Sequence, residues 1–135
     1  MAPTEVRADF PAEPASAGQA RRFVDATLRS WECDGIVETA TLLISELVSN
    51  AILHAGTTIR VVIRLGDEQV RVEVQDGSAR GPSRKHYSSM ATTGRGLMLV
   101  ETLSDRWGVA TAPTGKSVWF ELSRPAGSER RRGVA

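Results

Sequence analysis

Glu46 and Asn50 stand four residues apart in Glu46-Leu47-Val48-Ser49-Asn50. On a helix they project from one side, about 40° from each other, at the border of the apolar face rather than opposite it. A carboxylate and an amide placed there look into the interior edge of a fold. The same pair also suits a solvated flank with a helix-stabilising i,i+4 contact. His54 extends the row by one turn, where a helix-end or packing role is the simpler reading. Asp76 carries a sharper signal. It follows a segment in which Val70, Val72 and Val74 face one way and Arg71, Glu73 and Gln75 the other, and it inherits the side of the valines. A carboxylate at a core-facing position has to be hydrogen-bonded or line a cavity, and the amino group of a purine is a suitable donor to it. Asp76-Gly77 also reads as a plain turn.

Downstream, residues 77–100 contain Arg80, Arg84, Lys85 and Arg95 and no acid, the charge balance a polyphosphate-facing segment requires. Gly94-Arg95-Gly96 immediately precedes Leu97-Met98-Leu99-Val100. A flexible glycine turn at a helix start exposes free N–H groups that, with the helix dipole, attract anions. A second phosphate motif competes: Ala110 to Ser117 reads ATAPTGKS, a P-loop with alanine in place of its first glycine. That loop works by joining a strand to a helix, whereas Ser117-Val118-Trp119-Phe120-Glu121-Leu122 continues as a strand. Thr114-Gly115-Lys116 is therefore read as a hairpin turn, with the glycine supplying the unusual dihedral.

The elements that must position these groups follow from periodicity. Val37, Ala40, Leu43, Ile44, Leu47, Val48, Ala51 and Ile52 recur at helical spacing and predict a helix over about 36–55. An earlier helix, with Ser16 as its expected cap, runs to about Trp31 and ends before Asp34-Gly35. Val6 to Phe10 alternates only weakly. Residues 58–65, 69–75 and 116–122 have the period of strands, with 106–111 a weaker fourth; the link Gly66-Asp67-Glu68 makes the first two an antiparallel pair. Residues 77–93 read as a functional loop and 94–103 as a helix. The order predicts an α+β two-layer sandwich, one mixed or antiparallel sheet with helices on one face.

The 135 residues suffice for one domain and are too few for two. Hydrophobic and charged shares of 41% and 24% are those of an ordinary globular chain. The net charge of +1 is uneven, since residues 124–135 carry +3 and the remainder −2. The basic residues thus gather in a Gly/Pro/Ser-containing tail instead of a folded face, which argues against direct nucleic-acid binding. The single cysteine, Cys33, excludes an internal disulfide and a cysteine-based zinc site. Without a long uninterrupted apolar run or a signal-type N-terminus, the expectation is a cytoplasmic protein that does not enter a membrane.

Taken together, Glu46 to His54, then Val74-Gln75-Asp76-Gly77-Ser78, then Gly94-Arg95-Gly96-Leu97, then Gly115-Lys116-Ser117 before a strand resemble, in order and spacing, the successive boxes of the gyrase/Hsp90/histidine-kinase (GHKL) ATPase superfamily, whose nucleotide-binding domain is the Bergerat-type fold. Within it the chain is most similar to the bacterial anti-sigma-factor serine/threonine kinases, over about residues 4–123, with 124–135 a basic flexible tail. The resemblance implies an ATP-binding, Mg²⁺-dependent regulator that sequesters a sigma factor and phosphorylates a serine of an antagonist protein. It also implies a homodimer. Glu46 would be the general base and Asn50 the Mg²⁺ ligand. Asp76 would accept from the adenine amino group; Gly94, Arg95, Gly96 and Leu97 would close over the phosphates, with Arg95 at the γ-phosphate; Gly77, Ser78 and Ser117 would complete the nucleotide site. Ser78 stands where the wider superfamily has glycine. The alternative is a nucleotide-binding sequestration module without kinase activity.

Overall fold

In the computed structural model, residues 4–77 and 95–124 are described. Strand β1 (Glu5–Phe10) leads into α1 (Ala15–Ser30), a 3-10 turn at Asp34–Ile36 and α2 (Val37–His54). Strands β2 (Ile59–Leu65) and β3 (Gln69–Asp76) follow; then come α3 (Arg95–Leu103), β4 (Arg106–Ala112) and β5 (Gly115–Ser123). The five strands form one sheet in the order β1-β2-β3-β5-β4, and every neighbouring pair is antiparallel. The α+β sandwich is thus as expected, with a wholly antiparallel sheet. The weakly alternating N-terminal segment is a full edge strand, because pairing with β2 supplies what its own pattern lacks.

The core lies between the sheet and the helices. Val24 and Leu28 of α1, Leu43, Ile44 and Val48 of α2, Ile59, Val61 and Ile63 of β2, Val70 and Val72 of β3 and Phe120 of β5 are all fully buried. Each such side chain contributes about 1.5–3 kcal/mol, which is why the 3.6- and 2-residue periods choose these faces. Val100 is fully buried and anchors α3 in the same core. By length and composition the helical stretch Asp34–His54 could cross a membrane, with a mean hydropathy of 1.5. Glu38 and Glu46 interrupt the stretch, so no unbroken apolar run marks it in the sequence. In the fold its apolar residues Val37, Ala40, Leu43, Ile44, Leu47, Val48 and Ala51 are buried in the sandwich.

The opposite sheet face is a charged lattice. Arg60 holds Asp9 at 2.8 Å, Arg64 bridges Glu5 at 2.8 Å and Glu73 at 3.1 Å, and the Arg71 guanidinium lies 3.8 Å from the centre of the Trp119 ring. Two local expectations shift. Ser16 does not cap α1: it sits inside the first turn, buried, and its hydroxyl donates to the Pro11 carbonyl at 2.6 Å, while Pro14 occupies the cap position. Arg124, assigned to the tail, is held at the β2–β3 turn, its N–H donating to the Glu68 carbonyl at 2.9 Å and its guanidinium to that of Gly66 at 3.0 Å. Residues 78–93 of the loop expected over 77–93, Ser78 and Gly94 of the nucleotide motifs, and residues 125–135 lie outside the described residues.

Candidate nucleotide site

Asp76 ends β3 on the face shared with Val70, Val72 and Val74, as the alternation requires, and is only 8% exposed. Among the described residues the only other buried polar or charged side chains are Ser16 and Glu121. Two contacts fix the strand end. The Gly77 N–H donates to the Thr57 hydroxyl at 2.9 Å, tying the end of β3 to the segment that precedes β2. On the other side, Gly115 at the start of β5 has φ +154°, and a Cβ there would lie 2.1 Å from the Asp76 carbonyl oxygen. Only glycine lets β5 approach at that point.

Asp76 looks into a small chamber of about 20 Å³, the space of roughly one water. Leu47, Asn50, Ala51 and His54 of α2 close one side, and Val74, Lys116 and Val118 of the sheet the other. The helix contributes residues at the i, i+3, i+4, i+7 spacing of one face, so the same periodicity that buries Leu47 and Ala51 delivers Asn50 and His54. A wider recess of about 310 Å³ adjoins at the β4–β5 hairpin, between Gln75 and Asp76 on one side and Ala110–Ala112 and Thr114–Ser117 on the other. The chamber mixes apolar Leu47, Ala51, Val74 and Val118 with polar Asn50, His54, Asp76 and Lys116, the composition of a small-molecule site.

The structure brings Asp76 and Asn50 together and leaves other expected residues apart. Glu46 is half-buried one helical turn before Asn50, and does not line the chamber. Ser117 lines the adjoining recess but not the chamber, and its hydroxyl donates to a Glu73 carboxylate oxygen at 2.5 Å. Arg95, Gly96 and Leu97 lie in the first turn of α3. The P-loop-like segment is a hairpin, with Ala112 paired to Gly115 across a two-residue turn.

Lys116, which the sequence motifs did not single out, lines the chamber beside Asp76. It is the register partner of Asp76 across the β3–β5 ladder and shares its face. Its signal was in the sequence: Val118, Phe120 and Leu122 point inward, so period two puts Lys116, not Ser117, on the side of Asp76. Burial pushes the Lys116 ammonium below its usual pKa, and the Asp76 carboxylate opposes that shift. Burial pushes the Glu73 carboxyl up, but hydrogen bonds from Ser117 and Gln75 and the Arg64 guanidinium outweigh it and hold Glu73 below its usual range.

Adenine chemistry fits this donor set. A buried acceptor among apolar side chains suits a purine amino group, and Asn50 lines the same chamber. Residues 10–122 match the model of the histidine kinase-like ATPase domain. No curated protein matches the chain. Among solved structures, the fold is similar to the crystal structure of the RsbU and RsbW domains of Rv1364c from Mycobacterium tuberculosis. The TM-score is 0.68 and the identity 23%, over 92% of this chain. The match spans 33% of that solved chain, so the likeness is to one part of a longer protein and is a likeness of fold.

Proposed function

The chain belongs to the histidine kinase-like ATPase domain family, and on that premise we propose that it is an ATP-binding, anti-sigma-type regulator of transcription that phosphorylates a serine on an antagonist protein in the cytoplasm. The observation that carries the nucleotide half is Asp76, a carboxylate 8% exposed at the inward end of β3, in the same chamber as Asn50. In this reading Asp76 accepts from the adenine amino group and the Asn50 amide oxygen holds Mg²⁺. Gly94 to Leu97 receive the phosphates at the start of α3, where free N–H groups favour anions. Bound Mg-ATP would supply the transferable phosphoryl group and neutralise its charge. The task left to the protein is positioning and proton removal.

Glu46 is the proposed base. It lies on α2 one turn before Asn50, on the same flank. There its carboxylate would take the proton of an incoming seryl hydroxyl. The sigma factor and the antagonist are the proposed partners, and a homodimer the proposed assembly; all three rest on the sequence motifs. A second reading is a nucleotide-dependent sequestration module without phosphoryl transfer, because binding at Asp76 and Asn50 does not itself require a base at Glu46.

One experiment separates the two. The chain is used as bait in extract with and without Mg-ATP, and recovered proteins are tested for label from γ-labelled ATP. Recovery of a sigma factor and labelling of a small antagonist support the kinase reading. Recovery with no labelled protein supports sequestration alone.

A further inference from the structure

Asp76 and Lys116 are the only residues among those described that line both the chamber and the adjoining recess. A group that enters the chamber from the recess therefore meets both side chains. The two are direct partners across the β3–β5 ladder, and the close backbone approach at Gly115 fixes β5 there against β3. A carboxylate only accepts hydrogen bonds and an ammonium only donates them. The wall of the site thus presents an acceptor and a donor side by side.

We propose that Lys116 is a specificity-determining residue of the base site, a donor beside the acceptor Asp76 that narrows the preference for adenine over guanine. The inference rests on the reading of Asp76 as the base-binding carboxylate. Adenine carries an amino donor where guanine carries the O6 acceptor. Asp76 alone would favour adenine and repel O6. Lys116 alters both sides of that comparison. Its ammonium competes with the adenine amino group for the same carboxylate, because both are donors. To guanine it offers O6 a charge-assisted donor, while Asp76 accepts from the neighbouring ring N–H. Discrimination is a difference between two affinities, and one residue here weakens the first and strengthens the second.

The test is calorimetry of Mg-ADP and Mg-GDP with the full chain and with Lys116→Met, Lys116→Arg and Asp76→Asn. Lys116→Met is expected to bind ADP more tightly and GDP more weakly, raising the ADP:GDP affinity ratio about tenfold, the effect of one charge-assisted hydrogen bond. Lys116→Arg, which keeps the donor, should stay within about threefold of the unaltered chain. Should the Met variant fail to fold, Lys116→Thr, β-branched and suited to a strand, carries the same expectation. An unchanged or lower ratio in the donor-free variant, with ADP binding still dependent on Asp76, overturns the role of Lys116 alone. If Asp76→Asn binds ADP as the unaltered chain does, the base-site reading fails and this inference falls with it.

Discussion

Asp76 and Lys116 face one another across the β3–β5 ladder on the side of the sheet that meets α2. A carboxylate this buried is stable only with donors around it, and a base-binding site exposes it to exchange of one donor for another. Asp76→Asn removes the charge but keeps the size. It should weaken ADP binding about 10- to 100-fold, the loss of a hydrogen bond to a charged group, while the fold persists. Calorimetry beside a thermal melt checks both parts; undiminished affinity would remove Asp76 from the site.

Glu46 and Asn50 should separate kinetically. Glu46→Gln keeps the size and much of the hydrogen bonding of Glu but not its basicity, so nucleotide and partner binding should survive. Phosphoryl transfer should fall by about 10²- to 10⁴-fold. Asn50→Ala deletes the proposed metal-binding oxygen, so Mg-nucleotide affinity itself should drop. If Glu46→Gln labels the antagonist at the unaltered rate, the assignment of the base is wrong.

Gly115→Ala places a methyl group 2.1 Å from the Asp76 carbonyl oxygen at a φ of +154°. Backbone cannot swing aside as a side-chain tip can, so β5 must move. The variant should lose about 1–3 kcal/mol of stability by urea denaturation. It should also lose nucleotide affinity, because the shift displaces the edge of the base site. Loss of stability with unaltered ADP affinity would separate the hairpin from the site.

Glu73 ties β3 to Arg64 at 3.1 Å and to the Ser117 hydroxyl at 2.5 Å. Its folded pKa lies below the ordinary value of 4.5, so the stability it contributes is present above that value and is lost as pH falls through the folded pKa. Glu5 and Asp9 on the same sheet face are lowered too, through Arg64 and Arg60 respectively, and share the sign. Unfolding by urea from about pH 7 to about pH 3 should show a flatter acid limb for Glu73→Gln than for the unaltered chain. An identical slope would mean that Glu73 does not supply this linkage.

Much of this protein is decided by short-range pattern. The 3.6-residue recurrence from Val37 to Ile52 specifies α2 and its buried face, and the alternation Val70, Val72, Val74 sends Asp76 inward, because both periods are properties of the local backbone. The same alternation in β5 already pointed to Lys116. By the same rule the next residue of the motif, Ser117, turns to the other face, toward Glu73. Tertiary structure alone decided what lies beside what. β5 inserts between β3 and β4, so Lys116, forty residues away in sequence, becomes the partner of Asp76, and α2 is seated so that Asn50 shares their chamber while Glu46 stays a turn away. Edge strand β1 likewise takes its identity from β2 more than from its own weak alternation. Register and sheet order are set by the summed burial of residues far apart along the chain, and no local window contains that sum.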